Sequence, residues 1–310
     1  MDVKVSIIMP AYNAEKFIEE SIKSVISQTF KEFELIIIND GSNDNTINII
    51  KKYEQKDSRI YVIDKKNEGL SDARNQGLKI AKGKYIFFLD SDDCIQENTL
   101  EILYSLESEN KKIIVACEFE RFKKTYKNSI YNKKKNNIYN KKNFFKNVLK
   151  LKYSMYACGA LFPIDFFDNF NFPPKIYFED LASVYLLYGK ADKIIRVNSK
   201  LYKYRKNENS IVNTVNEKKL KDYDLASNQF MCYLARNNIC NDKLIEFYKC
   251  EVIIEKYIFS KDERYIKEFS NSYYKSITVI ASKKFKIKFF LFLHSKLFRK
   301  KLYEKKLKKG

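Results

Sequence analysis

Three aspartates end a short aromatic and apolar run of the chain. The run covers residues 84–89, and the acidic stretch that follows it is Asp90-Ser91-Asp92-Asp93. A run without polar alternation is typical of a buried strand in a parallel sheet. Because ligands of open α/β sheets bind beyond the carboxyl ends of the strands, we expect these aspartates where chemistry takes place. In an extended segment Asp90 and Asp92 face the same side and together suit one hard cation, Mg²⁺ or Mn²⁺.

Two other interpretations of the aspartates stay open on this pattern. Asp93 and Gln96 have the spacing of a capping box, which predicts a helix that begins at Asp93 and continues to about Glu109. An Asp-x-Asp pattern at a strand end also occurs in phosphatases that work through an aspartyl-phosphate. The motif alone does not separate that chemistry from a metal site.

The composition assigns acid and base work to carboxylates and predicts an anionic partner. The one histidine, His294, lies in a basic C-terminal stretch, which argues against histidine-based triads and histidine-rich metal sites. The formal net charge of +20 predicts a phosphate ligand, nucleic acid or anionic lipid as partner. Much of this charge is local, because residues 282–310 hold twelve Lys or Arg against one acid, Glu304.

The cysteines and the first residues predict a cytoplasmic protein. The six cysteines lack CxxC spacing, which indicates reduced thiols rather than a disulfide framework or a zinc site. The apolar stretch that follows Met1 is too short for a signal peptide. The sequence contains no window of eighteen uninterrupted apolar residues, so it predicts no membrane span.

Strands and helices alternate along the first part of the chain, which predicts an α/β fold with a mostly parallel sheet. Gly83 is expected to end the helix that precedes the acidic strand. The Lys-, Asn- and Tyr-rich residues 121–147 predict a solvated hairpin or loop. Strands are predicted at 5–10, 33–38, 60–63, 84–89, 113–116, 157–162 and 194–197, and later helices at about 217–237, 241–259 and 262–281.

Five sequence blocks, in this order, resemble those of the family 2 glycosyltransferases. The resemblance covers about the first two thirds of the chain. It implies the GT-A fold, in which a mostly parallel, Rossmann-like sheet is flanked by helices, here with a C-terminal helical extension. The blocks are Pro10-Ala11-Tyr12-Asn13, Asn39-Asp40-Gly41-Ser42, Gly69-Leu70-Ser71-Asp72-Ala73-Arg74-Asn75, Asp90-Ser91-Asp92-Asp93 and Glu179-Asp180.

Two further features place the chain within that family. Tyr204-Arg205 followed by Ser210-Ile211 is similar to the donor-covering loop of bacterial polysaccharide members. The QxxRW motif of processive synthases is absent from the sequence, which argues against polymer extrusion. We divide the chain into a GT-A domain at 1–215, a helical region at 216–281 that packs or binds acceptor, and a basic amphipathic tail at 282–310.

The resemblance implies an inverting hexosyltransferase in the synthesis of bacterial surface polysaccharide such as capsule, lipopolysaccharide or cell-wall glycan. The donor would be a UDP-sugar and the acceptor a hydroxyl of a glycan or lipid-linked oligosaccharide. Asp180 would be the general base with Glu179 beside it, and Asp92 with Asp90 would hold Mn²⁺ or Mg²⁺. Arg74 has a second open interpretation, as a structural arginine in a buried ion pair. The implied nucleotide-sugar site comprises Pro10, Ala11, Tyr12, Asn13, Asp40, Gly69, Arg74, Asp90, Ser91 and Arg205.

The basic tail has two interpretations. Phenylalanine and leucine alternate with lysine and arginine in residues 283–309, as in helices that lie on anionic membranes. A helix packed on its own domain, with its lysines in solvent, has the same pattern. The resemblance favours a peripheral position on the cytoplasmic face of the cell membrane.

Two alternatives to a transferase remain. One is the aspartyl-phosphate phosphatase, and the other is a non-enzymatic basic protein that binds lipid or nucleic acid. We expect no nucleic-acid partner, because the sequence contains no RNP, KH or zinc-finger pattern.

Overall fold

The computed structural model describes residues 2–107, 112–206, 216–276, 283–295, 298–299 and 301–302. Contacts divide the chain into two units, 1–141 with 156–206 and 142–155 with 207–310. The first unit ends at residue 206, before the boundary predicted near 215. The segment 142–155 belongs to the second unit. The predicted covering-loop residues Ser210 and Ile211 lie outside the described residues.

One mixed sheet forms the basis of the first unit. The pairs β1 with β2, β2 with β3, β1 with β4 and β6 with β9 are parallel, and β8 joins β4 to β6 in antiparallel orientation. Among the described residues the order is β3-β2-β1-β4-β8-β6-β9-β5, with β7 beside β9 off this path. The strands are β1 (Val5–Ala11), β2 (Phe33–Asp40), β3 (Ile60–Lys65), β4 (Tyr85–Phe88), β5 (Cys94–Ile95), β6 (Ile113–Phe122), β7 (Asn137–Tyr139), β8 (Ala160–Pro163) and β9 (Lys193–Arg205).

Helices cover both sides of the central strands. Every residue of β1 and β2 is buried, as expected for strands covered on both faces. The predicted α/β class with a sheet flanked by helices is therefore confirmed. The helices are α1 (Ile18–Ile26), α2 (Thr46–Glu54), α3 (Leu70–Ile80), α4 (Thr99–Tyr104), α5 (Lys141–Leu149), which lies in the second unit from residue 142 on, and α6 (Glu179–Lys190).

The helix predicted from Asp93 to about Glu109 is wrong at its start, and α4 ends at Tyr104, before the predicted end at Glu109, which lies outside the described residues. Residues 94–95 form β5, which pairs with β9, and α4 begins only at Thr99. Asp93 does not cap a helix, because its carboxylate accepts hydrogen bonds from Tyr202 Oη and from the backbone N–H of Arg205. Pairing with a distant strand therefore outweighs the local capping pattern.

Gly83 does not end α3 in the predicted way. The helix ends at Ile80, and Gly83 is not among the residues with positive φ. A Cβ at Gly83 would lie 2.5 Å from the backbone nitrogen of Ser6 in β1. Glycine is required here because the chain passes directly against the first strand.

The second unit is helical. The side chains of Asn216 and Asn241 cap its first two long helices by accepting hydrogen bonds from backbone N–H groups. No helix in the described part of the chain is long and apolar enough to cross a bilayer. Among the described residues after 215, the helices are α7 (Glu217–Arg236), α8 (Asp242–Ser260), α9 (Arg264–Ser276) and α10 (Lys283–His294).

The beginning of the predicted basic tail packs inside this unit. Phe289 and Phe292 of α10 are fully buried. The ring of Phe292 lies 4.7 Å from that of Phe269 in α9, and the ring of Phe289 lies 5.6 Å from that of Phe247 in α8. The described part of the tail is therefore continuous with the helical region rather than separate from it.

Candidate active site

The acidic stretch lies at the carboxyl end of β4, as the sequence predicts. It is a turn, closed by a hydrogen bond from the Asp93 N–H to the Asp90 oxygen at 3.0 Å, and not the extended segment that we expected. Asp90, Ser91 and Asp92 are partly exposed, whereas Asp93 is buried. The parallel strands β1 and β2 end at the same edge of the sheet, at Ala11 and Asp40. Two of the predicted blocks therefore share an edge with the acids.

Arg74 joins carboxylates from two distant parts of the chain. Its side chain is only 2% exposed, and its guanidinium lies 3.2 Å from Asp90, 2.9 Å from Glu179 and 3.1 Å from Asp180. Burial alone would lower the pKa of Arg74, but Asp180 and Asp90 raise it well above its ordinary value. The arginine is thus permanently charged and holds the predicted base beside the acidic stretch.

Asp180 has the properties of a base that works near neutral pH. Burial raises its pKa to about 7, against the lowering effect of Arg74, and the charges of Glu179 and Asp90 add to the rise. Its side chain keeps 20% exposure, so it remains accessible from solvent. The backbone N–H of Ala157 donates to its Oδ2 at 3.2 Å.

Backbone strain precedes the two acids of α6. Phe178, the residue before Glu179, has a left-handed backbone with φ of 62°. Such a conformation costs a non-glycine residue about 1–3 kcal/mol and concentrates at functional sites. The strain permits α6 to begin abruptly, with both acids in its first turn.

Tyr202 in β9 also holds the acidic stretch, a role that the sequence did not predict. Its hydroxyl donates to Asp93 Oδ2 at 2.7 Å and accepts from the backbone N–H of Asp90 at 3.3 Å. Burial and the nearby charges of Asp90 and Asp92 raise the pKa of Asp93 well above its usual range. A tyrosine within an alternating strand pattern provides no sequence signal for this contact.

Arg205 contacts the acidic stretch rather than projecting into solvent. Its Nε donates to the backbone oxygen of Asp92 at 2.7 Å, and its guanidinium pairs with Glu20 of α1. The rings of Phe17 and Phe122 lie 4.9 Å and 4.4 Å from the guanidinium carbon. In this structure the side chain positions the loop that carries Asp92.

The first sequence block, Pro10 to Asn13, spans the end of β1 and the two residues after it. Pro10 and Ala11 are buried, whereas Tyr12 is 49% exposed. Asn13 has a positive φ of 48°, and its side-chain oxygen accepts from the backbone N–H of Asn43. This bond ties the first block to the loop after β2 and leaves the ring of Tyr12 open to solvent.

Asp40 holds the loop that leads into α3. Its carboxylate accepts from Lys65 Nζ at 2.7 Å and from the backbone N–H groups of Glu68 and Gly69 at 3.0 and 2.8 Å. Gly69 has a φ of 94°, and a Cβ there would meet no atom within 4 Å, so the loop borders open space. Asp40 and Gly69, both predicted to bind the nucleotide sugar, are thus joined by a direct hydrogen bond.

The donor set suits a divalent cation that also binds the substrate. No group of three or more His, Cys, Asp or Glu side chains in the described ranges is arranged to hold a metal by itself. Asp90 and Asp92 supply two partly exposed carboxylates, and their charges are strong enough to raise the pKa of buried Asp93. Mg²⁺ characteristically binds one or two carboxylates together with substrate phosphates. The residues present therefore fit Mg²⁺ or Mn²⁺.

Comparison with known sequences identifies one family and several relatives. Residues 6–169 match the family described as glycosyl transferase family 2. Glycosyltransferase GlyA of Streptococcus pneumoniae is 29% identical over 258 residues, which cover 80% of this chain and 37% of GlyA. The uncharacterized glycosyltransferase EpsJ of Bacillus subtilis is 34% identical over 219 residues, which cover 67% of this chain and 62% of EpsJ. The chain thus spans less than two thirds of either relative.

Solved structures share the fold at low sequence identity. S. aureus TarS in complex with UDP-GlcNAc aligns with a TM-score of 0.60 and 18% identity over 89% of each chain. The mannosyltransferase PcManGT from Pyrobaculum calidifontis, in complex with GDP-Man and Mn²⁺, aligns with a TM-score of 0.54 and 13% identity. That alignment covers 100% of this chain and 86% of the other. At these identities the likeness shows the fold alone.

Proposed function

The chain belongs to glycosyl transferase family 2, and from this premise we propose that it transfers a sugar from a UDP-sugar to an acceptor hydroxyl with inversion at the anomeric carbon. Membership confirms the resemblance drawn from the five sequence blocks, and the likeness to TarS confirms the GT-A architecture. Membership in this family favours a transferase over the phosphatase and over a non-enzymatic binding protein. The proposed role is in surface polysaccharide synthesis, such as capsule, lipopolysaccharide or cell-wall glycan.

One observation carries this proposal. The buried guanidinium of Arg74 contacts Asp90 on the donor side and Asp180 on the proposed acceptor side. A transferase must hold its leaving-group site and its base in one fixed relation, because misplacement by about 1 Å can lower the rate 100-fold. A single buried arginine that binds both acids supplies that relation.

The donor site is proposed at the shared edge of β1, β2 and β4. Pro10, Ala11, Tyr12 and Asn13 would line the base, with the exposed ring of Tyr12 available for stacking. Asp40 and Gly69 would shape the ribose side, and Asp40 acts there chiefly through the loop that it holds. TarS has been solved with UDP-GlcNAc, which supports a UDP-sugar as donor.

Asp92 and Asp90 would hold the divalent ion, with Ser91 between them. When bound, Mn²⁺ or Mg²⁺ would neutralise the charge that develops on the leaving nucleoside diphosphate. Arg205 would orient Asp92 through its bond to the backbone oxygen of that residue. Arg74, already paired with three carboxylates, would act on the donor through Asp90 and not by direct phosphate contact.

Asp180 is the proposed general base. It would accept the proton of the acceptor hydroxyl while that oxygen attacks the anomeric carbon from the face opposite the diphosphate. Arg74 and the N–H of Ala157 keep its carboxylate in place. Glu179 would balance the charge of Arg74, so that Asp180 remains basic enough to accept a proton.

The acceptor is proposed to be a glycan or a lipid-linked oligosaccharide at the cytoplasmic face of a membrane. Phe289 and Phe292 of the tail are buried in the helical unit, so we propose that the tail contacts lipid through its cations and not by inserting these rings.

A nucleotide-release assay tests the proposed function. The purified chain would be offered UDP-, GDP- and dTDP-sugars with Mn²⁺, Mg²⁺ or chelator. Metal-dependent UDP release that is lost in Asp92→Ala and kept in the exposed control Asp165→Asn would support it. If no nucleotide is released, calorimetry with UDP and Mn²⁺ follows, and absence of UDP binding would refute the donor assignment.

A further inference from the structure

The connection after β6 is strongly cationic and contains no acid. Residues 121–141, here named the basic segment, hold eight Lys or Arg and no Asp or Glu. Lysines 124, 127, 133, 134 and 135 are all exposed, and within the described part of the chain no ion pair involves them. Such a stretch attracts anionic surfaces, and in the described residues no ion pair neutralises the charges of these five lysines.

Two isoleucines of the basic segment project into solvent. Ile130 is 94% exposed and Ile138 is 61% exposed, which makes them the most exposed aliphatic residues of the α/β unit. Isolated exposed apolar residues are common on proteins. Here both belong to one acid-free cationic segment, a combination typical of surfaces that insert into a lipid interface.

The exposure of Ile130 results from an anchored backbone. The neighbouring Ser129 donates its N–H to Gln96 Oε1 at 2.6 Å, and Gln96 Nε2 donates to the Ser129 oxygen at 3.0 Å. Ser199 Oγ donates to the backbone oxygen of Ile130 at 3.3 Å. Ile138 lies in β7 and is paired with Ile195 of β9. Both isoleucines are thus presented by fixed backbone.

Tyrosines 126 and 131 of the segment are half-buried, and each contacts another residue of the protein. Tyr126 packs on Phe122 with ring centroids 5.0 Å apart, and Lys203 Nζ lies 5.5 Å from its ring centroid. The hydroxyl of Tyr131 accepts a hydrogen bond from Asn136. Proteins that bind single-stranded nucleic acid stack bases on free aromatic faces. The exposed groups here are aliphatic and cationic, which favours lipid over RNA.

We propose that the basic segment is a docking surface for an anionic lipid bilayer. Ile130 and Ile138 enter the interface while the lysines contact anionic headgroups. The ring of Phe122, the second residue of the segment, lies over the guanidinium of Arg205, and Arg205 binds the backbone of Asp92. A membrane on this surface would adjoin the acidic stretch, which suits a lipid-linked acceptor. The surface is distinct from the C-terminal tail and lies entirely within the α/β unit.

Vesicle binding by the full chain tests this surface. Sedimentation with phosphatidylglycerol–phosphatidylcholine vesicles would be compared with phosphatidylcholine vesicles alone. Each cation near an anionic surface contributes a factor of about five in affinity. We therefore expect the triple variant Lys133→Gln, Lys134→Gln, Lys135→Gln to bind at least roughly tenfold more weakly. Ile130→Ser should bind a few-fold more weakly with an unchanged melting temperature.

A second triple variant provides the matched control. Lysines 51, 52 and 56 are exposed on and just after α2, and their change to Gln removes the same charge. Binding within threefold of the parent chain is expected for this control. Equal losses in both triple variants would show a net-charge effect and overturn the proposal, as would unchanged binding of the basic-segment variants. RNA binding without vesicle binding would overturn it as well.

Bilayer docking by the basic segment and sugar transfer at the acidic stretch are separate properties, and either can fail without the other. The vesicle assay contains no nucleotide sugar, and UDP binding would be measured separately on each variant. Lost vesicle binding with intact UDP binding supports the docking surface. A chain that binds vesicles through the basic segment but never binds UDP would refute the transferase proposal alone.

Discussion

Arg74 and Asp180 form a buried ion pair, with a guanidinium nitrogen 3.1 Å from a carboxylate oxygen. The two residues are 106 positions apart, on α3 and α6. The same guanidinium also binds Asp90 and Glu179, so one positive charge faces three acids. The cluster keeps excess negative charge, which is consistent with a base that holds its proton up to neutral pH and with a site that attracts a divalent cation.

Removal of Arg74 should destabilise the fold. Arg74→Gln leaves three carboxylates together without their cation, and breaking a buried ion pair in this way costs about 3–5 kcal/mol. The loss should be smaller at pH 5 than at pH 8, because protonation relieves the repulsion among the acids. Urea unfolding at both pH values measures this difference. The exposed Arg121→Gln serves as control and should change stability by less than about 0.5 kcal/mol.

Asp180→Asn should lower the rate of sugar transfer while leaving UDP binding intact. Loss of a general base costs about 10²- to 10⁴-fold in rate. For the unchanged chain, kcat/KM should fall as the pH drops below 7, because the pKa of Asp180 is raised to about 7 and the protonated acid cannot accept a proton. Near-normal turnover by a folded variant would remove Asp180 from the mechanism.

The same substitution should change how stability depends on pH. Asp180 binds its proton more tightly in the folded chain, with a pKa of about 7, than in the unfolded chain, with a pKa of 3.8. Stability associated with this group is therefore present below pH 4 and is lost as the pH rises to about 7. Asp180→Asn should gain stability relative to the parent chain across that window and keep a constant difference above it. Denaturant unfolding from pH 4 to pH 8 would show the trend, and a flat difference would contradict the raised pKa.

The acids and the central strands could be predicted because their signals are local. Apolar runs of the length of β1, β2 and β4 identify buried strands, and the acidic block follows one of them directly. The order of the blocks places the residues at one edge of a parallel sheet. The start of α6 is equally local, because Glu179 and Asp180 precede an apolar helical pattern.

The contacts that position these acids could not be predicted. Tyr202 and Arg205 bind Asp93 from more than a hundred residues away, and no period or spacing records such a pair. The ion pairs of Arg74 with three carboxylates could not be predicted for the same reason. The hairpin or loop predicted for residues 121–147 is wrong at its end, because α5 begins at Lys141 and the segment 142–155 belongs to the helical unit. Long-range packing determined each of these outcomes.

Gly83 should not tolerate a methyl group. A Cβ there would lie 2.5 Å from the Ser6 nitrogen and 2.7 Å from the Val5 carbonyl carbon, and backbone atoms of a central strand cannot move aside cheaply. We expect Gly83→Ala to cost about 3 kcal/mol, near the upper end for overpacking. The exposed neighbour Lys82→Ala should stay within about 0.5 kcal/mol. Thermal unfolding of both variants compares them, and a tolerated alanine at position 83 would disprove the close approach.

The packing of α10 can be tested with two phenylalanines that are two positions apart. Phe292 is fully buried against Phe269 and Tyr257, whereas Phe290 is 53% exposed. Truncation of a buried phenylalanine costs about 3–5 kcal/mol, so Phe292→Ala should destabilise the helical unit strongly. Phe290→Ala removes the same atoms from an exposed position and should change stability by no more than about 0.5 kcal/mol. Denaturant unfolding followed by circular dichroism measures both.

The outcome of that pair also decides how the tail can reach a membrane. If only Phe292→Ala lowers the free energy of unfolding strongly, the buried face of α10 is part of the protein core. Only the exposed residues of α10 can then contact lipid. Small and equal effects would mean that α10 separates from α8 and α9 in solution, which would free Phe289 and Phe292 for insertion. In that case vesicle binding should weaken in Phe292→Ala while the free energy of unfolding stays unchanged.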